Sequence, residues 1–271
     1  MPSSPGKTPH PYDALTQEYP LLSSLPSRII ARTGYCIVPR FDPLQRFRSD
    51  AYLRNNARRQ EHLASLHIPV TGMSVLEVGA GIGDHSHYFL DRGCRMTITE
   101  TRESSLAYVR QRFPSSDVRR LNMEYPPEQV AGAPFDIVYC YGLLYHLSNP
   151  AQALEFFRKN TGKMLLLETC VSFAPDTGVN LTEETQKNPT QAFSGMGCRP
   201  SRSWVWDELS KLYPHVYVPQ TQPNHEEFPT DWNAPKEHGA SLQRAIFVAS
   251  LEPIRNEMLT PALLMQQRRH E

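Results

Sequence analysis

The chain predicts an α/β fold, a doubly wound and largely parallel sheet with helices on both faces. Three observations carry that reading. Residues 74–86 read SVLEVGAGIGDHS, an apolar run that breaks into closely spaced glycines and resumes as the helix-like His87-Tyr88-Phe89-Leu90. Short apolar runs then alternate with segments of three- and four-residue periodicity as far as Glu168. Beyond Val171 the alternation is interrupted twice, by long excursions rich in polar residues and proline, before the last two strand-like runs. In the first of these features glycine permits positive φ and lets a ligand approach the main chain. The helix start that follows offers free N–H groups and a partial positive charge. Such a turn binds something flat or anionic at the carboxyl edge of a parallel sheet.

Composition sets bounds. At 271 residues the chain holds one large α/β domain or two small ones. Its 28 basic and 28 acidic residues balance, so nothing pulls it as a whole toward nucleic acid or membrane. Five scattered cysteines, Cys36, Cys94, Cys140, Cys170 and Cys198, form no CxxC pair and read as reduced thiols of a cytoplasmic protein. No stretch approaches the roughly 18 apolar residues a bilayer span requires, and MPSSPGKTPHPYD lacks the apolar core of a secretion signal.

The elements follow in order. Residues 1–45 are expected as an N-terminal arm, its first half extended or disordered and rich in Pro, Ser and Thr. Residues 46–66 have helical periodicity through Phe47, Tyr52, Leu53, Ala57, His62, Leu63 and Leu66, with Arg48, Arg54, Arg58, Arg59 and Glu61 opposite. That opposite face is a solvated surface, or else one or two of its arginines point at a ligand carboxylate. Strands are expected at 75–78, 94–99, 117–121, 135–140, 163–168, 215–218 and 245–249. Helices are expected at 85–92 (with Gly93 as C-cap), 103–113, 151–158 and 203–212 (with Ser201 or Ser203 as N-cap). The main domain is placed at 46–251 with insertions at 171–200 and 220–240, and 252–271 reads as a short amphipathic tail. Glu100, at the tip of the second strand and about 20 residues beyond the glycines, is positioned to accept from two ribose hydroxyls.

Spacing narrows the ligand. A dinucleotide turn needs Gly-x-Gly-x-x-Gly. Here Gly79, Ala80, Gly81, Ile82 and Gly83 run Gly-x-Gly-x-Gly, Asp84 holds the dinucleotide position, and the strand itself carries an acid, Glu77. This set resembles motif I of the class I S-adenosylmethionine-dependent methyltransferases, and FDIVYCYGLLYHLSNP resembles the fourth-strand motif of a small-molecule-type branch with a Leu-Tyr-His segment. The resemblance covers roughly residues 46–251. It implies a Rossmann-like seven-stranded sheet whose last strand is antiparallel at the edge, with S-adenosylmethionine as methyl donor. It implies cofactor contacts from Glu77, Gly79, Ala80, Gly81 and Gly83 at the turn and from Glu100 with Thr101 at the ribose. Asn122 and Met123 would lie at the adenine, where many members carry an acid in place of Asn122, and Tyr141 and Gly142 at the methionine end. Tyr145 and His146 would face the transferred methyl group. A neutral histidine there suits a general base for a hydroxyl or a protonated amine; a histidine that orients a loop fits equally.

Both excursions leave or rejoin the sheet on the turn's side, so residues 1–65, 171–200 and 220–240 are expected to cap the methyl group. Glu168 at the fifth strand's tip binds substrate or caps a helix. Arg199 and Arg202 can clamp a carboxylate or phosphate. His225 and Trp232 complete the acceptor-facing candidates, Trp232 and Phe228 packing the cap unless they stack on substrate. His225 with Glu226, Glu227 and Asp231 follows no recognised metal spacing, and no metal is expected. The expected function is methyl transfer to oxygen or nitrogen of a small molecule, with neither membrane nor nucleic acid as partner. The rivals are RNA or tRNA modification, for which the arginines of residues 40–59 are the one candidate basic patch, and a non-catalytic protein that keeps the cofactor fold.

Overall fold

The computed structural model describes residues 43–173, 178–234, 238–240 and 242–271. Most of the expected N-terminal arm, with Cys36, lies outside them, as do 174–177 and 235–237 of the two excursions.

Helix α1 (Pro43–Phe47) stops at Arg48, and Ser49 caps α2 (Asp50–Ser65) by accepting from Tyr52 N at 3.4 Å. The chain continues through β1 (Ser74–Val78), α3 (Ser86–Leu90), β2 (Arg95–Glu100), α4 (Glu103–Arg112), β3 (Asp117–Arg120) and β4 (Phe135–Tyr141). A 3₁₀ turn (Leu144–His146) leads to α5 (Pro150–Asn160), whose start is set by proline at the first helical position and by Asn149, which accepts from Gln152 N at 3.2 Å. Then come β5 (Thr161–Cys170), the cap hairpin β6 (Leu181–Glu183) with β7 (Met196–Cys198), and α6 (Arg202–Leu212), capped by Ser201. The chain closes with β8 (His215–Pro219), β9 (Thr221–Gln222), β10 (Arg244–Ser250), β11 (Leu259–Thr260) and β12 (Arg268–Arg269).

The main sheet runs β11-β8-β10-β5-β4-β1-β2-β3. Strands β3, β2, β1, β4 and β5 are mutually parallel neighbours, in register Val75 opposite Met96 on one side and Ile137 on the other. The period-two alternation of the strands sorts side chains into two cores. Leu76, Val78, Val138, Cys140, Leu165 and Leu167 pack with Leu154, Phe157, Val205 and Leu209 of α5 and α6. Val75, Ile98, Ile137, Tyr139 and Leu166 pack with Leu63, Phe89 and Val109 of α2, α3 and α4.

Two sequence expectations change. The sheet has eight strands, not seven, and the antiparallel strand β10 lies inside it, between β5 and β8, not at its edge. Every residue of β10 is buried, as a strand paired on both sides and covered on both faces must be. The extra strand is β11, from the segment read as a tail; it pairs with the outer edge of β8. The rest of that segment is tied down through polar groups. Gln267 Oε1 accepts from Trp232 Nε1 (2.8 Å), Gln222 Nε2 (3.0 Å) and Arg202 Nη2 (3.4 Å), and Gln267 Nε2 donates to the Pro219 carbonyl (2.6 Å). Among the described residues no helix is long and apolar enough to cross a membrane.

Truncating Gln267 strands three buried donors and one carbonyl. Gln267→Ala is expected to cost about 2–3 kcal/mol in urea-induced unfolding, while Gln266→Ala, at a neighbouring exposed position, is expected to be near neutral; equal effects would show that the staple is dispensable.

Candidate active site

The glycine turn leaves β1 at positive φ, +75° at Gly79 and +58° at Gly81. Both positions are also packed close: a Cβ on Gly79 would sit 2.8 Å from Leu143 Cδ2, and one on Gly81 would sit 3.0 Å from the Phe47 ring. The N–H groups of Gly79 and Ala80 are fixed on the Thr99 carbonyl (3.0 and 2.9 Å). Glu100 holds the turn from the side. Its Oε2 accepts from Gly81 N (2.9 Å), and its Oε1 accepts from Thr101 N (2.8 Å) and Arg102 N (3.0 Å). A carboxylate gripped this way presents its outer lone pairs in one direction.

A cavity of about 300 Å³ opens at the carboxyl edge of the sheet. Gly79, Gly81, Glu100, Thr101, Asn122 and Met123 line one half; Asn55, Tyr145, His146, Glu227 and Arg244 line the other, and Tyr141 and Gly142 are part of the wall as well. Residues 189–191 and Phe193 of the cap also reach it. A smaller recess of about 20 Å³ adjoins it behind the turn, lined by Glu77, Ala80, Asp84, His85 and Tyr139, and shares Arg59, Gly79 and Tyr141 with the larger cavity. Burial pushes the Glu77 carboxyl up to about 7, although Ser86 Oγ donates to it at 2.5 Å. Burial holds His85 well below its ordinary value, so it is neutral.

Under the second half of the cavity lies a buried ion network. Glu168, wholly excluded from solvent, accepts from Arg59 Nη2 and from Arg244 Nη1 at 3.0 Å. Burial pushes its pKa up, yet the two guanidiniums prevail and hold it below the usual carboxylate range. Arg244 extends the network, donating through Nε to Glu227 Oε2 (2.6 Å) and through Nη2 to the Tyr145 hydroxyl (3.3 Å). Asn55 Nδ2 reaches the same Glu227 oxygen at 2.8 Å. Arg59 Nη1 donates to Asn56 Oδ1 (3.0 Å), which His85 Nε2 also meets at 3.1 Å.

A second relay enters from the cap. His146 Nδ1 pairs with Glu184 Oε2 at 2.5 Å; the other Glu184 oxygen accepts from Arg199 Nη2 (3.0 Å), and Ala192 N donates to Oε2 (2.7 Å). Burial works against the Glu184 charge, but its bonds from His146 and Ala192 bring the pKa down to about 2. An ionised carboxylate only accepts, so neutral His146 must carry its proton on Nδ1, and Nε2 is left as the basic nitrogen. Burial lowers the His146 pKa more than Glu184 raises it, so at neutral pH the ring is uncharged.

Residues 76–162 match the methyltransferase domain family model. The fold is that of solved methyltransferases. The N-terminal domain of EvdMO1 with S-adenosylhomocysteine bound aligns over 75% of this chain and 85% of its own, with TM-score 0.59 and 18% identity. A S-adenosylmethionine-dependent methyltransferase from Mesorhizobium loti aligns over 72% and 99%, with TM-score 0.51 and 13% identity. Residues 76–162 thus carry a methyltransferase domain, and the chain as a whole has the fold of class I S-adenosylmethionine-dependent methyltransferases. S-adenosylmethionine is the cofactor of that fold. No curated protein matches the sequence significantly.

The site has the features this cofactor asks for. The glycine turn and the fixed Glu100 carboxylate stand at one end of the cavity. Two buried polar atoms in its wall, Arg59 Nε and Tyr141 OH, have no partner among the described residues. Asn122 is braced for its place, accepting from Glu124 N at 3.1 Å, and Met123 is buried beside it.

Of the acceptor-facing candidates, none lines the main cavity. Glu168 lies directly beneath it as the counter-ion of Arg59 and Arg244. Arg199 is bound to Glu184 and to the carbonyls of Tyr145 (3.2 Å) and Cys198 (2.7 Å). Arg202 donates to the Leu264 carbonyl (2.5 Å) and stacks 4.2 Å over Trp232. Burial lowers its pKa to about 9. His225 turns inward, its Nδ1 accepting from Glu227 N (3.2 Å), and Trp232 packs in the core against Phe173. In their place the structure brings Asn55, Arg59, Glu184, Glu227 and Arg244 to the site. Arg59, on the face read from sequence as either solvated or turned toward a ligand, is 4% exposed. The signal was available: Asn55, Asn56, Arg59 and His62 recur at helical spacing on the stripe that carries Leu63.

Two outcomes are expected. Glu100→Ala should weaken S-adenosylmethionine binding by about 2 kcal/mol, near 30-fold, in calorimetry; an unchanged Kd would remove Glu100 from the ribose. Glu77→Gln should stabilise the folded protein above pH 7. A carboxyl raised to about 7 from 4.5 on folding loses stability as pH climbs through that window, by up to about 3 kcal/mol, and the amide has no charge to bury. Thermal melts at pH 5 and pH 8 check it, the two proteins converging at the lower pH.

Proposed function

We propose that the protein transfers a methyl group from S-adenosylmethionine to an oxygen or nitrogen of a small-molecule acceptor. His146 serves as general base, and the cap formed by residues 171–200 and 220–240 encloses the acceptor. The observation that carries this reading is the two-part cavity, with the cofactor-type turn and Glu100 at one end and a histidine held by a carboxylate at the other. When bound, the cofactor supplies the methyl group and leaves as S-adenosylhomocysteine. The chain's own work is to place the acceptor in line, exclude water and take up a proton. As the bond from acceptor to methyl carbon forms and the sulfur–methyl bond breaks, the acceptor's proton passes to His146 Nε2. Glu184 steadies the imidazolium that results, as a carboxylate does for any base of this type.

A small acceptor is favoured over RNA because three arginines of the one candidate basic patch are committed to carboxylates, while Arg46 lines the cavity and Arg48 stacks 5.3 Å over the Tyr108 ring. Arg54 is paired with Glu226, Arg58 with Glu61 at 2.6 Å, and Arg59 with Glu168. Phosphate binding needs uncommitted cations. The free, buried cysteines at 94, 140, 170 and 198 are in keeping with a reducing, cytoplasmic setting.

The deciding experiment is calorimetry with S-adenosylmethionine and, separately, NADH, followed by transfer of labelled methyl into a pool of small-molecule acceptors and into total RNA. Binding of S-adenosylmethionine alone with label in the small-molecule fraction supports the reading; label confined to RNA replaces it. With an acceptor in hand, His146→Ala should lower turnover by about 100-fold or more with S-adenosylmethionine affinity nearly unchanged. In the wild type, turnover should fall on acidification only below pH 6.5, because burial depresses the pKa of the base. Glu184→Gln removes the neighbour that raises that pKa, so its acid limb should move to lower pH while turnover drops. A limb that stays in place would assign Glu184 a purely structural role.

A further inference from the structure

The acceptor half of the cavity has an uneven supply of hydrogen-bonding groups. Glu227 receives both of its protein donors, Asn55 Nδ2 and Arg244 Nε, on Oε2, which leaves Oε1 open toward the cavity it lines. The Asn55 amide is oriented without ambiguity, because a carboxylate can only accept and so must face Nδ2. Its Oδ1 therefore points elsewhere, and, in a residue only 8% exposed, it is buried with no partner among the described residues. The two oxygens belong to groups joined by a 2.8 Å hydrogen bond, on neighbouring side chains of the same cavity wall. Nearby, the Tyr145 hydroxyl accepts from Arg244, and the Tyr145 ring centroid is 3.9 Å from that of His146, whose Nε2 is a further acceptor. Arg59 Nε at the seam and the Tyr145 O–H can donate, but the other polar atoms here accept, so a ligand filling this space has to bring donors of its own.

Charge restricts it further. Arg59 and Arg244 are matched by Glu168 and Glu227, so the floor of the site is neutral as it stands. A cationic acceptor would be pressed against Arg244, an anionic one against Glu227, each without a free counter-ion. An uncharged molecule with adjacent hydroxyls meets both conditions, since two neighbouring O–H groups can donate to two neighbouring oxygens while a third hydroxyl contact falls to Tyr145 or His146.

We infer that Asn55 and Glu227 form a binding site for a vicinal diol, and that the acceptor is an uncharged molecule carrying adjacent hydroxyls, of which His146 deprotonates one. This rests on reading the cavity as a methyltransferase site. Adjacent hydroxyls of this kind occur on a sugar-like ring and on a catechol, and the test separates the two.

Protein saturated with S-adenosylhomocysteine is titrated with methyl α-D-glucopyranoside, catechol, cyclohexanol, phenol and D-glucosamine, and binding is read by saturation-transfer NMR. At least one diol is expected to bind, about tenfold or more tighter than the single alcohol of its own class, and Asn55→Ala is expected to weaken it by about tenfold, the worth of one hydrogen bond at a buried group. Glucoside binding assigns an alicyclic acceptor, catechol binding an aromatic one. Glu227→Gln keeps the shape but not the charge and should weaken the diol as well; both variants should retain S-adenosylhomocysteine affinity, which certifies their folding. Tighter binding of D-glucosamine than of the glucoside, or diol affinity unchanged in both variants, overturns the inference. Retained S-adenosylhomocysteine binding with no diol bound overturns it alone, whereas a wild type that fails to bind S-adenosylhomocysteine overturns the methyltransferase reading together with it.

Discussion

The carboxylate of Glu168, held out of water between two guanidiniums, is the constraint on which the site depends. A carboxylate with no solvent exposure is costly unless paired, and removing one partner from such a group costs several kcal/mol. Arg59 comes from α2, Glu168 from the tip of β5 and Arg244 from the start of β10. Three elements distant in sequence are thereby held at one separation. Buried ion groups of this kind add little net stability compared with well-packed apolar side chains. Their effect here is positional, because each arginine that neutralises Glu168 also aims its remaining donors, Arg59 at Asn56, and Arg244 at Glu227 and Tyr145.

The inserted antiparallel strand explains why this network can exist. Parallel strands bring only their carboxyl ends to the functional edge of the sheet. β10 runs the other way beside β5, with Arg244 opposite Cys170, so its first residue arrives at the edge where β5 has its last. The sheet order then divides the cavity. β1, β2 and β3 carry the glycine turn, Glu100 and the Asn122 segment. β4, β5 and β10 carry Tyr141 with the Tyr145–His146 turn, Glu168 and Arg244. On the proposed function one half would take the cofactor and the other the acceptor, and Arg59, beside Gly142, spans the seam: a Cβ on Gly142 would sit 2.8 Å from Arg59 Nη2.

What was legible in the sequence was local. The alternation of strands and helices, the Gly79–Gly83 spacing, Glu100 at its offset and the Leu-Tyr-His segment are each set within a few residues, and Gly79, Gly81, Glu100, Tyr145 and His146 line the cavity. What was not legible depends on pairing across the chain. No local pattern distinguishes an edge antiparallel strand from an inserted one, and Glu227 and Glu184 acquire meaning only from Arg244 and His146. Which of the two readings held for Arg59 was not legible, because a polar helical stripe facing a polar cavity looks like one facing water. Arg199 and Arg202 suggested a clamp by their place near strand ends, but irregular backbone has carbonyls that lack ladder partners and must find donors.

Arginine in this cap binds backbone. Arg199 donates to two carbonyls, Arg202 to one and Arg269 to those of Pro223, His225 and Phe228. Arg102 does the same for Asn188 and Gln191 on the segment that reaches the cavity. These guanidiniums act as multidentate staples for loops, a use to which five donors in a rigid fork are well suited. A cap rich in arginine therefore need not recognise an anion. Once the staples and the Glu168 pairs are set aside, what the acceptor half offers is Glu227 and Asn55, with Tyr145 and His146 beside them. On the proposed function, such a set would select an acceptor by the hydrogens it can donate, not by its charge.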